Sequence, residues 1–109
     1  MASPRKRTVA REAARQLGRI TKNALRDRER LAQLEAGGTP EHPIVVVSAS
    51  LVEPKARAFP CIACGAAVRL EDHAAKTIRG AALRLAHTSC AMCEHERTIY
   101  FTISPPLVN

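Results

Sequence analysis

All four cysteines of the chain lie in two short stretches, "CIACG" at residues 61–65 and "CAMCE" at residues 90–94. Each is a C-x-x-C pair, and 25 residues separate Cys64 from Cys90. A tight turn brings the two thiolates of one pair onto one ion, and a second such turn completes a tetrahedron, with a metal–sulfur distance near ~2.3 Å for zinc. An all-sulfur set favours zinc or iron over magnesium or calcium. Four protein ligands leave no open coordination position, so the expected site is structural rather than catalytic. Two other chemistries use the same residues: a redox-active C-x-x-C, which wants its first cysteine at an exposed helix N-terminus, and a pair of structural disulfides. Each pair here precedes strand-like sequence, and paired cysteines in a reducing compartment more often hold metal.

Other chemistry is sparse. Ser48, Ser50, Ser89 and Ser104 sit in no nucleophile-elbow pattern. Glu71, Asp72, Glu94 and Glu96 balance Arg69, Arg84 and Arg97 across a sheet more simply than they supply an acid and a base. His87 and His95 fall near the second cysteine pair in sequence, but four thiolates already satisfy a metal; His73 and His95 are expected at the surface and His87 partly buried. The expectation is a non-enzymatic protein without a small-molecule substrate.

The elements that must position the cysteines divide the 109 residues into four parts. Residues 1–36 read as a basic helix, with periodicity from about residue 5. Residues 37–43, "GGTPEHP", read as a linker, with Gly37 suited to a helix C′ position. Residues 44–103 read as a β domain, and 104–109 as an extended tail. "PIVVVSA" reads as a buried strand. "AVRLED" alternates with Val68 and Leu70 on one face, "ALRLAHT" with Leu83 and Leu85 inward, and "TIYFTI" with Ile99, Phe101 and Ile103 opposite Tyr100. "KTIRGA" is a turn in which Gly80 takes positive φ. The predicted fold class is α+β: an N-terminal amphipathic basic helix and a small antiparallel β domain of three to four strands. Phe59, Tyr100 and Phe101 are the only aromatics. So small a core usually needs a staple, and structural metal binding is itself folding free energy.

The knuckle "CIACGA", a β-hairpin, the knuckle "CAMCEH" and a closing strand resemble the zinc ribbons over roughly residues 58–103. The whole chain resembles small bacterial proteins built on such a ribbon. The resemblance implies one structural zinc ion held by Cys61, Cys64, Cys90 and Cys93, and it implies no activity. Glu94 stands where ribbons often place glycine. The acidic pair that some transcript-cleavage ribbons carry at the hairpin tip is replaced here by "TIRG".

The formal charge of +7 is unevenly placed. Residues 1–36 hold ten Lys/Arg against four Asp/Glu, and residues 37–109 hold seven against six. On the predicted helix, Arg7, Arg11, Arg15, Arg19, Lys22, Arg26 and Arg30 follow at spacings of three or four and so are neighbours. With Arg5 and Lys6 they form a candidate phosphate-tracking stripe, suited to backbone affinity with little sequence choice. The lack of aromatics argues against base stacking on single strands. Val9, Ala13, Leu17, Ile20, Ala24, Leu31 and Leu34 fall on another face, which also fits a heptad, Ala10, Leu17, Ala24 and Leu31 at one seam position and Ala13, Ile20, Asp27 and Leu34 at the other, interrupted by Asp27. That face suits a protein partner or a second copy, the alternative to nucleic acid, in which the arginines are simply solvated. Its alanine-rich composition, without Trp or Phe, disfavours a membrane surface. The absence of a transmembrane run and of a secretory signal points to a cytoplasmic protein.

Overall fold

The computed structural model describes the backbone of residues 4–105, and side chains over residues 11–105 apart from Ala14, Leu17, Gly18 and Ile20. The expected roles of Arg5, Lys6 and Arg7, of Val9, Leu17 and Ile20, and of tail residues 106–109 lie outside what is described. The chain runs through helix α1 (Pro4–Leu34), strand β1 (Ile44–Val46), a 3₁₀ turn (Ala49–Leu51), helix α2 (Val52–Ala58), and strands β2 (Val68–Ile78), β3 (Ala81–Cys90) and β4 (Glu96–Ile103). A 31-residue helix is about 46 Å long, which is why the molecule measures 82 × 25 × 20 Å.

The sheet order is β1-β4-β3-β2. Strands β2, β3 and β4 form an antiparallel meander. The β2–β3 turn is the expected one: Arg79 (φ 51°) and Gly80 (φ 82°) are both left-handed and connect Ile78 to its partner Ala81. Such two-residue turns match the twist of the strands they join.

The sheet is mixed, which corrects the antiparallel expectation. Strand β1 pairs in parallel with β4, Ile44 opposite Phe101 and Val46 opposite Ile103. The reason is the connection after β1. The chain does not turn back beside β1; it crosses a face of the sheet through α2, which packs on β2 and β3, and enters β2 at the far edge. A short edge strand results, not a buried one: Val46 is buried, but Val45 and Val47 are exposed.

Helix α2 was not expected inside the β domain, although its signals are in the sequence. The Ser48 hydroxyl accepts from the amide of Ser50 at the start of the 3₁₀ turn. Glu53 lies in the first turn of α2, and Lys55 and Arg57 in the last, each favourable to the helix dipole. Val52 and Ala56, four residues apart, are fully buried. They complete the core with Val46, Ala86, Ile99 and Phe101, flanked by Leu51, Phe59, Leu70 and Ile103.

The core face of β4 is the predicted one, Ile99 and Phe101. That of β3 is not. Ala86 pairs with Ile99 and Leu85 with Tyr100, so Leu85 and Leu83 lie on the face away from α2. Leu83 is nonetheless buried, in a hollow lined also by Pro40, Pro43 and Thr102. An alternating pattern shows that two faces differ; it does not say which helix covers which. A register shift at Glu71, between the pairs Leu70–Thr88 and Asp72–His87, then carries His73 onto the α2 face opposite Ala86.

Segment 37–43 is fastened to the sheet. Gly37 is buried, with φ 88°, but α1 has already ended at Leu34, so it is no C′ residue. Its amide donates to the His42 carbonyl (2.7 Å), and its carbonyl accepts from Tyr100 (2.8 Å). Arg79 pairs with Glu41 at 2.9 Å, tying the hairpin tip to this turn.

A candidate metal centre of four cysteines

Cys61 and Cys64 lie in the turn between α2 and β2, and Cys90 and Cys93 in the turn between β3 and β4. The two turns repeat one hydrogen-bond pattern. In the first, Cys61 N–H donates to Ala66 O (2.9 Å) and Gly65 N–H to Cys61 O (2.8 Å); in the second, Cys90 N–H donates to His95 O (2.9 Å) and Glu94 N–H to Cys90 O (3.2 Å). The amide two residues after each leading cysteine points at its sulfur, Ala63 at Cys61 and Met92 at Cys90, both at 3.3 Å. Closing such a turn requires a left-handed residue after the second cysteine. Gly65 supplies it at φ 78° without cost, and Glu94 adopts the same conformation at φ 65° against the usual side-chain penalty. The departure from glycine at position 94 thus leaves the turn geometry unchanged.

The pairing of β2 with β3, which sets Val68 opposite Cys90, brings the two turns together. The four Sγ atoms lie within 4.8 Å of one another, and no other residue type joins this group among the described residues. Between the turns, Cys61 Sγ lies 3.6 Å from Cys93 Sγ and Cys64 Sγ lies 3.4 Å from Cys90 Sγ. A disulfide would require about 2.05 Å. A tetrahedron of sulfurs about 2.3 Å from a central zinc has edges near ~3.8 Å. The donor set therefore fits a metal ion, which Cys61, Cys64, Cys90 and Cys93 could hold. Cys61 follows the C-terminal end of α2, not a helix N-terminus, so the setting that activates a redox C-x-x-C is not built here.

The electrostatics of the cluster also favour a cation. The amides of Cys93 and Met92 hold the Cys90 thiol down to about 6. At Cys93 the His95 amide also favours the thiolate. Burial and the sulfurs of Cys61, Cys64 and Cys90 outweigh it and push the thiol up to about 12. Cys64 is likewise raised: the Ala66 amide lowers it, but the Cys90 sulfur and burial prevail. The amides thus favour a thiolate at Cys90, while Cys64 and Cys93 resist ionisation beside their neighbouring sulfurs, a cost that a central cation would relieve.

The histidines join the fold in other ways. His95 Nε2 lies 3.2 Å from Glu29 Oε1 of α1. His87 Nδ1 lies 3.2 Å from Thr98 Oγ1, and His73 faces Glu53 of α2 at 3.7 Å. His73 and His95 are therefore half-buried partners of helices, where surface positions were expected. Ser89 donates to Glu71, and the Arg97 guanidinium lies 5.5 Å from the centre of the Phe59 ring. Burial lowers the pKa of Arg97, opposed by Glu35.

The basic residues named from the sequence are strung along α1. Arg11, Arg15, Arg19, Lys22, Arg26 and Arg30 are all exposed. Of the expected apolar stripe, Ala13, Ala24, Leu31 and Leu34 are exposed as well. The helix docks by a different stripe, in which Leu25 is half-buried, Ala32 is buried, and Arg28 and Glu29 reach the cysteine turns. The spacing 25, 28, 29, 32 is a helical one and was legible, but the longer arginine run and heptad masked it. No helix among the described residues is long and apolar enough to cross a membrane. No family model, curated protein or solved structure matches the chain.

Proposed function

We propose that the protein is a non-enzymatic, zinc-ribbon-like factor of the cytoplasm. Its four cysteines hold one structural zinc ion, and its basic helix contacts nucleic acid or an assembly built on it. The observation that carries the first half is the clustering of four sulfurs, from two identically built turns, within 4.8 Å. Zinc suits a closed tetrahedral thiolate site better than the harder cations do. The second half is supported by the run of exposed cations Arg11, Arg15, Arg19, Lys22, Arg26 and Arg30 on α1. A helix presenting such a run as an amphipathic arm would grip phosphates and release their counterions.

Two measurements test this reading. Metal analysis of protein purified without added metal should give one zinc per chain. Binding to duplex DNA and to structured RNA, followed across a salt series, should weaken with a log–log slope of up to about −5 if the six exposed cations each meet a phosphate. A flat salt response, or no binding at low salt, refutes the nucleic-acid half.

A second reading is favoured by one observation: Leu31 and Leu34 on α1 are 61% and 76% exposed. The helix would then serve a protein partner or a second copy, with solvated arginines. Mass in solution at several concentrations, with and without Leu31→Asp, decides whether the chain pairs with itself.

A further inference from the structure

Two adjacent residues of α1 touch the two cysteine turns separately. Arg28 Nη1 donates to the carbonyls of Ile62 (3.4 Å) and Ala63 (3.1 Å), which lie between Cys61 and Cys64. Glu29 Oε1 lies 3.2 Å from Nε2 of His95, two residues past Cys93. Upstream, every described side chain from Arg11 to Ala24 is exposed. The grip of α1 on the sheet is thus concentrated where it meets the metal ligands.

The peptide unit between Ile62 and Ala63 explains what Arg28 reads. The Ala63 amide points at Cys61 Sγ. A trans peptide is planar, with N–H and C=O directed oppositely, so an amide aimed at the sulfur aims the Ile62 carbonyl away from it, toward Arg28. A metal-bound thiolate is a stronger acceptor for that amide than a thiol is, and it fixes the plane of the unit. In the second turn the carbonyl of His95 accepts from the Cys90 amide, so the backbone that carries its ring toward Glu29 is set by the same closure.

We infer that metal occupancy of the four cysteines sets the direction of α1, with Arg28 and Glu29 as the positioning residues that transmit it. This rests on the metal reading above and not on nucleic-acid binding. An apo turn leaves its carbonyls unaimed, and the helix swings free of the sheet. A loaded turn holds helix and sheet as one body, so any surface they present together exists only with metal bound. Coupling of this kind is reciprocal, so docking of α1 must also slow metal loss.

The test uses the full chain loaded with zinc and follows amide exchange by mass spectrometry. Residues 25–34 should exchange more slowly than 11–22, and a chelator should abolish the difference. The double variant Arg28→Gln, Glu29→Gln, still holding one zinc, should lose the protection of residues 25–34 while β4 amides stay protected. It should also pass zinc to a chelator roughly fivefold faster, at the low end of typical couplings. If the double variant does not fold, Glu29→Gln alone gives the same two readouts. Equal exchange of both segments in loaded wild type, or a variant that changes neither protection nor zinc transfer, overturns the inference while leaving the metal reading intact. Failure to take up zinc overturns both.

Discussion

Replacing Gly38 by alanine tests how tightly the end of α1 is folded back on itself. A Cβ at this position would collide with the carbonyl oxygen of Ala32 and come within 2.6 Å of the Gln33 Cα and 2.9 Å of its carbonyl carbon. All three are backbone atoms, so no rotamer change relieves the contact; the turn or the helix end must move. Overpacking costs about 1–3 kcal/mol, and a backbone collision belongs in the upper half of that range. Stiffening the unfolded chain returns about 0.4–1 kcal/mol. The net loss is about 2 kcal/mol, or a fall in melting temperature of about 8–16 °C for a chain of this size. Gly80→Ala is the internal control. Its φ is 82°, but nothing lies within 4 Å of the added carbon, so only conformational strain of about 1–2 kcal/mol, less the same return, applies. Its net loss is about 1 kcal/mol or less. Thermal unfolding of both variants with equal zinc loading makes the comparison. Ala32 also belongs to the docked stripe of α1, so Gly38→Ala should raise amide exchange over residues 25–34 where Gly80→Ala does not. If Gly38→Ala costs no more than Gly80→Ala, the close approach of the two backbones is not what the geometry says.

Glu94→Gly should stabilise the loaded protein by about 0.5–1 kcal/mol, because it removes left-handed strain at φ 65° and costs only the looser unfolded chain; denaturant midpoints measured with zinc present would check the sign. Metal uptake near pH 7.5 should release fewer than four protons, since the Cys90 thiol, lowered to about 6, has already ionised, whereas Cys93, raised to about 12, has not. Titration calorimetry in buffers of different ionisation enthalpy counts them. Because protons compete with metal for Cys93 and Cys64, affinity should rise with pH through the neutral range, and an affinity flat in pH would contradict the charge distribution of the cluster. Phe101→Ala removes the largest fully buried side chain among the described residues and should cost about 3–5 kcal/mol, read as a lowered denaturant midpoint of the loaded variant.

Much of the four-cysteine site was legible without a structure. Two C-x-x-C pairs, a turn at Arg79-Gly80 and alternation in "TIYFTI" are local signals, each set by a few consecutive residues, and each appears in the fold. Position 94 was ambiguous from sequence because glycine preference is a matter of cost, and a closed turn can bear that cost.

What local patterns could not decide is which surfaces meet. The α2 crossover turned β1 into a parallel edge strand, and the pairing of Ala86 with Ile99 assigned Leu83 and Leu85 to the other face. Helical periodicity in α1 offered several candidate stripes, and the one that docks is Leu25, Arg28, Glu29 and Ala32, less apolar than the heptad beside it. A helix chooses its buried stripe by what the partner surface offers. Here the partner offers outward carbonyls and a histidine, which an arginine and a glutamate satisfy and a leucine cannot. The spacing of two C-x-x-C pairs was enough to anticipate that four sulfurs would meet; packing brought α1 onto them, because the amide aimed at the Cys61 sulfur turns the Ile62 carbonyl toward Arg28 and the second turn presents the His95 ring to Glu29.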